Sequence, residues 1–260
     1  MTKQKQYYEK EHIEFLEKLW GDGYMSPGGT EEVKKILDGL KISKKSILDL
    51  GCGSGGITVS LVTNYGAKNV IGLDIENDVC LAAKQRVIRL GLEQDIKIKK
   101  ANPGPLEFED MTFDIVFSKD SIVHIQDKER LVADIFRILK PGGYFVASDW
   151  LRSHDGQPSA EMMRYLDLED LGFDMASPKR YRVALERAGY ENIVLLNRNE
   201  WYLDQARKEL NTLSKLRRKE FELISSKEYM DLSIETWNAM ITVLETGEHC
   251  PHHIRARRPI

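Results

Sequence analysis

The sequence predicts a doubly wound α/β fold on a seven-stranded, mostly parallel sheet, with helices at its N-terminus and a helical lid. Three observations predict it. Ile47-Leu48-Asp49-Leu50-Gly51-Cys52-Gly53-Ser54-Gly55-Gly56 runs an apolar strand into a glycine-rich turn and a helix start. Glycine serves where the chain takes positive φ or a ligand must approach the backbone, and the helix N-terminus adds a positive dipole. Val70-Ile71-Gly72-Leu73-Asp74 is a second buried strand ending in an acid, about twenty residues on, where such a fold places a ribose-binding carboxylate. Phe113-Asp114-Ile115-Val116-Phe117-Ser118 is a nearly continuous apolar run of the kind a central parallel strand shows.

The remaining elements follow in order. Tyr7 to Leu19 has helical spacing and ends at Gly21-Asp22-Gly23; Ser26-Pro27-Gly28-Gly29 then breaks the chain before Thr30, which caps a helix opening with Glu31 and Glu32. The alternation over Asp95 to Lys100 gives a third strand. Leu131 to Leu139 is helical, Lys140-Pro141-Gly142-Gly143 stops it, and Tyr144 to Ser148 is the fifth strand. Residues 151 to 175 form a polar, acid-rich insertion before a helix opened by Ser177-Pro178. Asn192 to Leu196, two helical stretches at about 200 to 224 and 228 to 246, and His252 to Arg258 complete the set.

With 260 residues, one large α/β domain with a lid is expected. Residues 1–29 are an N-terminal helical lid segment. Residues 30–260 are the main domain, with lid insertions at about 151–175 and 200–246. Thirty-eight basic and 41 acidic residues give a net charge of −3, which offers no electrostatic reason to bind nucleic acid. No apolar run approaches a membrane span, the polar start is no signal peptide, and three unpatterned cysteines suit a reducing, cytoplasmic setting. His249-Cys250-Pro251-His252-His253 carries metal-type residues packed too closely along a strand entry to converge on one ion, so no metal is expected, though a pocket role for one histidine stays open.

The glycine turn, the acid at Asp74 and the Leu139-Lys140-Pro141-Gly142-Gly143 turn resemble the class I S-adenosylmethionine-dependent methyltransferases, which implies a Rossmann-like sheet and S-adenosylmethionine as cofactor. The resemblance covers most of residues 30 to 200. It implies that Gly51, Cys52 and Gly53 let the backbone approach the cofactor, that Asp74 accepts the ribose hydroxyls, and that Ile75 lies against the adenine, with Asn102 and Ser118 beside it. Asn102 departs from the acid usual there; its side-chain carbonyl accepts a hydrogen bond equally well. A nicotinamide enzyme is the reading that the glycine spacing alone would also pass.

Tyr8, the stretch Trp20 to Gly29 and Ser118-Lys119-Asp120-Ser121-Ile122-Val123-His124 resemble more narrowly the phosphoethanolamine methyltransferases and the glycine and sarcosine N-methylating enzymes. That likeness implies a latch of Tyr8 and His124, with Asp120 facing the amine and Ser26 on the cofactor; the carboxylate and imidazole share one face if this segment is helical. Tyr24, Trp150, Tyr165 and Glu169 are the substrate-binding candidates. The phosphate-binding positions of that group fall on Glu169, Leu171 and Met240. A phosphate meeting Glu169 would lose its charge-assisted anchor and gain a like charge, so a cationic or zwitterionic acceptor held by aromatic faces and a carboxylate fits better.

N-methylation of an amine or amino acid of the glycine, sarcosine, dimethylglycine or ethanolamine type is the expected reaction. S-methylation of a thioether such as methionine, and phosphoethanolamine N-methylation, are the enzymatic alternatives. A non-catalytic cofactor-binding regulator is the alternative from another class. Oligomeric state is not readable.

Overall fold

A computed structural model describes residues 10–260; Tyr8 lies outside the described residues. The chain forms two units, one up to residue 106 and one over residues 107–260. In the first the strands lie side by side in the order Ile96–Lys100, Val70–Asp74, Ile47–Leu50, and in the second in the order Phe113–Lys119, Leu139–Asp149, His252–Arg257, Glu191–Asn197.

In the first unit, α1 (Lys10–Trp20) buries Ile13, Phe15 and Leu16. Helix α2 (Gly29–Ile36) follows, then β1 (Ile47–Leu50), α3 (Gly56–Thr63), β2 (Val70–Asp74), α4 (Asn77–Arg89) and β3 (Ile96–Lys100). The three strands pair in parallel. Thr30 does not cap α2: Gly28, at φ 96°, takes the cap position in a left-handed conformation, and Thr30 falls inside the first turn. Buried Arg86 on α4 ties the unit together, since its guanidinium donates to Glu17 at 2.7 Å, Asp22 at 2.9 Å and the Ser54 carbonyl at 3.0 Å. It thereby pins α1 and the glycine turn to one helix. Such planar, multidentate contacts suit arginine and not lysine.

The second unit holds β4 (Phe113–Lys119), α5 (Lys128–Ile138), β5 (Leu139–Asp149), α6 (Ala160–Glu169), α7 (Pro178–Ala188), β6 (Glu191–Asn197), α8 (Asn199–Asn211), α9 (Arg218–Glu222), α10 (Lys227–Glu245) and β7 (His252–Arg257). Strand β7 runs antiparallel to its neighbours β5 and β6. Ser177 caps α7 as its sequence predicts, accepting from the Arg180 N–H. Two boundaries differ from expectation. Asp127 accepts from the Arg130 N–H and starts α5 earlier, and β5 reaches back to Leu139, which pairs with Phe113 before a bulge over Lys140 to Gly143 resumes register at Ile115 and Tyr144. The Pro-Gly-Gly turn therefore bulges a strand as well as ending a helix. The stretch expected as one helix at about 200 to 224 widens into a turn of π-helix at Thr212–Leu216. There Thr212 and Ser214 donate their hydroxyls to the carbonyls of Lys208 and Leu210, competition that loosens a helical ladder. Among the described residues no helix is long and apolar enough to cross a membrane.

Candidate active site

The glycine turn of the first unit is held through its backbone N–H groups, which donate to the main chain and to one carboxylate. Gly51 and Gly53 take φ of 74° and 55°, and the N–H groups of Gly51 and Cys52 donate to the Leu73 carbonyl at 2.8 and 3.1 Å. Gly53 N–H donates to Asp74 Oδ2 at 3.0 Å, and Glu76 N–H to Oδ1 at 3.1 Å. Burial pushes the Asp74 carboxyl up while these backbone donors oppose the shift. One lone pair per oxygen stays available. At Gly56 the start of α3 lies against the backbone of Gly23, whose carbonyl accepts from Gly56 N–H at 3.0 Å; a Cβ on Gly23 would stand 2.6 Å from Gly56 Cα. No other residue type fits either position.

Around this turn the structure gathers the remaining candidates of the first unit. Ser26 and Tyr24 are half-buried; burial raises the Tyr24 phenol, and a hydrogen bond with Ser60 opposes it. The Met25 sulfur lies 3.3 Å from where a Cβ of Gly53 would be. Ile75 is an exposed apolar residue beside a fixed carboxylate. Asn102 is exposed and follows Ala101, whose N–H donates to the Asp74 carbonyl at 2.7 Å. Cys52 is buried, with its thiol pushed well above the ordinary range by burial; it offers backbone, not sulfur. Asp49, which sequence reasoning passed over, accepts from the Thr58 hydroxyl at 2.6 Å and fastens β1 to α3. A side-chain-free turn, a pinned carboxylate and an uncovered apolar residue together suit a nucleoside with hydroxyls.

In the second unit, Asp120 stands just past β4 at φ 53°, outside the single 3₁₀ turn Ile122–His124. It does not share a helix face with His124: the left-handed residue interrupts the helix before it begins. Asp120 Oδ1 accepts from Ser148 Oγ and from Tyr202 Oη, each at 2.8 Å, and Oδ2 pairs with Lys119 Nζ at 2.6 Å. A carboxylate held by three donors is fixed in direction. His124 Nδ1 lies 3.1 Å from the Leu171 carbonyl, so in the neutral ring Nδ1 carries the hydrogen and Nε2 is the acceptor. Burial lowers its pKa. Beneath this loop the buried Asp149 accepts from Val123 N–H at 2.8 Å and Tyr181 Oη at 2.5 Å, and buried Lys128 donates to the carbonyls of Ile122 and Ile125. Ser118 is fully buried at the end of β4.

From His124 a run of ring contacts crosses the unit. His124 packs on Phe173 at 5.2 Å, Phe173 on Trp150 at 5.5 Å, Trp150 on His249 at 5.5 Å, and His249 stacks on Tyr165 at 5.7 Å. Trp150, Tyr165, Phe173, Tyr202 and Met240 belong to one apolar cluster. Glu169 ends α6, one turn after Tyr165; burial pushes its carboxyl up to about 7, with the Tyr165 hydroxyl opposing. Tyr202, Ser148, Phe173 and His249 were not singled out as site residues by the sequence. The signal was the unusual histidine run at 249–253, of which His249 joins these rings.

Residues 48–147 match the methyltransferase domain family. Over 242 residues the chain is 31% identical to phosphoethanolamine N-methyltransferase 1 of Zea mays, covering 93% of this chain and 47% of that protein. The chain thus spans about half the length of the plant relatives it matches. It is 29% identical to dimethylglycine N-methyltransferase of Parasynechococcus marenigrum (strain WH8102), over 86% of this chain and 84% of that one. The structure of Haemonchus contortus phosphoethanolamine N-methyltransferase 2 with phosphomonomethylethanolamine and S-adenosylhomocysteine shares the fold, with a TM-score of 0.87 at 24% identity over 97% of this chain and 59% of that one. Residues 48–147 thus carry a methyltransferase domain match, in a chain that shares the fold of a solved methyltransferase. Its relatives include phosphoethanolamine N-methyltransferases and a dimethylglycine N-methyltransferase, to which it is similar.

Proposed function

We propose that the chain is an S-adenosylmethionine-dependent N-methyltransferase acting on a small amine. The observation that carries this reading is Asp120, a carboxylate fixed by Lys119, Ser148 and Tyr202 at the end of β4, where ligands sit in doubly wound folds. Gly51, Cys52 and Gly53 present backbone to the cofactor, Asp74 takes its ribose hydroxyls, Ile75 and Asn102 face its adenine, and Ser26 and Ser118 complete the contacts. The cofactor supplies a methyl group already activated on a sulfonium, so the protein has to position and deprotonate the acceptor. Asp120 orients the ammonium. His124 Nε2 takes its proton, its ring held by the Leu171 carbonyl and Phe173, and Tyr8 assists as the second member of the pair. With its proton held on the imidazole, the nitrogen would present its lone pair to the methyl group that the bound cofactor would supply, the sulfur keeping the electrons of the bond it gives up. Trp150, Tyr165 and Glu169, with Tyr24, hold the rest of the acceptor; methylated ammonium groups suit aromatic faces.

The expected partner is this small molecule and not nucleic acid, in keeping with the net charge of −3. Three free buried thiols suit a reducing, cytoplasmic compartment. The test is transfer of labelled methyl from S-adenosylmethionine to glycine, sarcosine, dimethylglycine, ethanolamine, phosphoethanolamine and methionine. Product from an amine, lost in Asp120→Asn, supports the reading; product from methionine alone, or none with S-adenosylhomocysteine still bound, overturns it.

A further inference from the structure

The loop that carries His124 has one 3₁₀ turn, Ile122–His124, between β4 and α5, yet its backbone is held from several sides. Val123 N–H donates to Asp149 Oδ1 at 2.8 Å, the Val123 carbonyl accepts from Asp174 N–H at 2.8 Å, and the Gln126 carbonyl accepts from Arg180 Nη2 at 3.2 Å. The carbonyls of Ile122 and Ile125 share one donor, Lys128 Nζ, which lies 2.8 Å from the first of them. Lys128 is fully buried and opens α5. Both facts are costly: lysine is almost never fully buried unless paired, and a cation at a helix N-terminus opposes the dipole. What the ammonium holds accounts for its place.

We propose that Lys128 is a positioning residue for His124: its ammonium clamps the carbonyls that precede and follow the Val123–His124 pair, and so sets where the imidazole stands against the acceptor amine. The proposal rests on the N-methyltransferase reading above, in which His124 takes the proton. Two carbonyls on one ammonium close the turn into a ring that neither helix nor sheet hydrogen bonds would close, and the third donor of the ammonium remains. Asp149 completes the grip at Val123 N–H, and is itself held by Tyr181 Oη at 2.5 Å. Beyond this turn the imidazole has the Leu171 carbonyl and the Phe173 ring to orient it. A shift of the turn therefore carries Nε2 with it, and proton transfer is sensitive to such shifts.

The ammonium also acts on the ring through space. Burial and the Lys128 charge both disfavour the imidazolium, while the Leu171 carbonyl favours it, so the clamp helps to keep the ring in the neutral form that a base requires. The charged groups that bear on Lys128 itself are Asp149 on β5, Asp174 ahead of α7, Arg180 on α7 and Glu129 on α5. The two acids from other elements keep the buried ammonium charged against the cost of its burial.

Three substitutions separate these roles. Lys128→Arg keeps the charge and a fork that spans two carbonyls, Lys128→Gln keeps one donor and loses the charge, and Lys128→Met loses both. The full chain is measured for kcat and KM with the amine found in the screen above, for S-adenosylhomocysteine affinity by calorimetry, and for the titration of the His124 ring by NMR, its signal assigned with His124→Gln. In Lys128→Gln, kcat should fall about tenfold or more with cofactor affinity within twofold, and the ring and the acid limb of kcat/KM should both move to higher pH. Lys128→Met should show the same changes enlarged, and Lys128→Arg should restore the parent's titration; Lys128→Gln and Lys128→Arg carry the test if Lys128→Met does not fold. A Lys128→Gln protein that melts lower but keeps the parent's kcat and ring titration overturns the proposal, as does one whose cofactor affinity falls as far as its kcat. If the parent methylates no amine, the enzymatic reading fails, and the ring titration alone decides whether Lys128 governs His124.

Discussion

The glycine turn of the first unit and the ring-lined region of the second are built by opposite means. Backbone groups close in sequence make the first: Gly51, Gly53 and Asp74 reach one another through main-chain donors on two adjacent parallel strands. Side chains from four distant segments make the second, with Asp120 after β4, Ser148 on β5, Tyr202 on α8 and His249 before β7. A backbone-built site tolerates little change of residue size and much change of chemistry around it. A side-chain-built site does the reverse, and its specificity changes without disturbing the fold.

The largest effect expected from this contrast is at Gly56. Gly56→Ala places a methyl against the Gly23 carbonyl and should destabilise the protein by about 3 kcal/mol, of the order of core overpacking, with S-adenosylhomocysteine binding lost; calorimetry and thermal unfolding read both. Asp120→Asn should leave that binding within twofold and lower methyl transfer by about 10²-fold or more, the scale of a lost positioned polar group. Equal damage to binding and turnover would erase the distinction between the two regions.

Titration sharpens it further. Glu169 releases its proton near pH 7, so phosphoethanolamine, as an inhibitor or acceptor, should gain affinity as pH falls below that value, and Glu169→Gln should flatten the dependence. His124 is held below its ordinary pKa by burial, so the acid limb of kcat/KM should lie below about 6.5, the free imidazole value. A last effect concerns Asp49, whose carboxyl is raised to about 7 by burial. The folded state binds this proton more tightly than the unfolded chain, so stability is greatest below about pH 4 for this group and declines as pH rises through 7. Asp49→Asn, which still accepts from Thr58, should reduce that decline by about 1–4 kcal/mol, measured as melting temperature between pH 5 and 8.

The same contrast explains what the sequence disclosed. Strand β1, the glycine turn and Asp74 were legible because apolar runs, glycine punctuation and a terminal acid are local patterns. Helix α7 was legible from Ser177-Pro178 for the same reason. The partners of Asp120 were not, since nothing local links Tyr202 or Ser148 to a carboxylate far along the chain. The shared face of Asp120 and His124, conditional on a helix there, does not form because Asp120 enters the left-handed region, where contacts with Lys119, Ser148 and Tyr202 hold it. Thr30 lost its capping place to Gly28 in a turn that glycine alone enters freely.

Strand β7 lies between β5 and β6 yet is synthesised after both. On the ribosome, β6 emerges first and must wait, unpaired with β5, while residues 198–251 are made. During that interval the β5 edge is open to any other extended chain. The second unit therefore closes in a single late event, and chaperone demand during synthesis should fall on the time between these two strands.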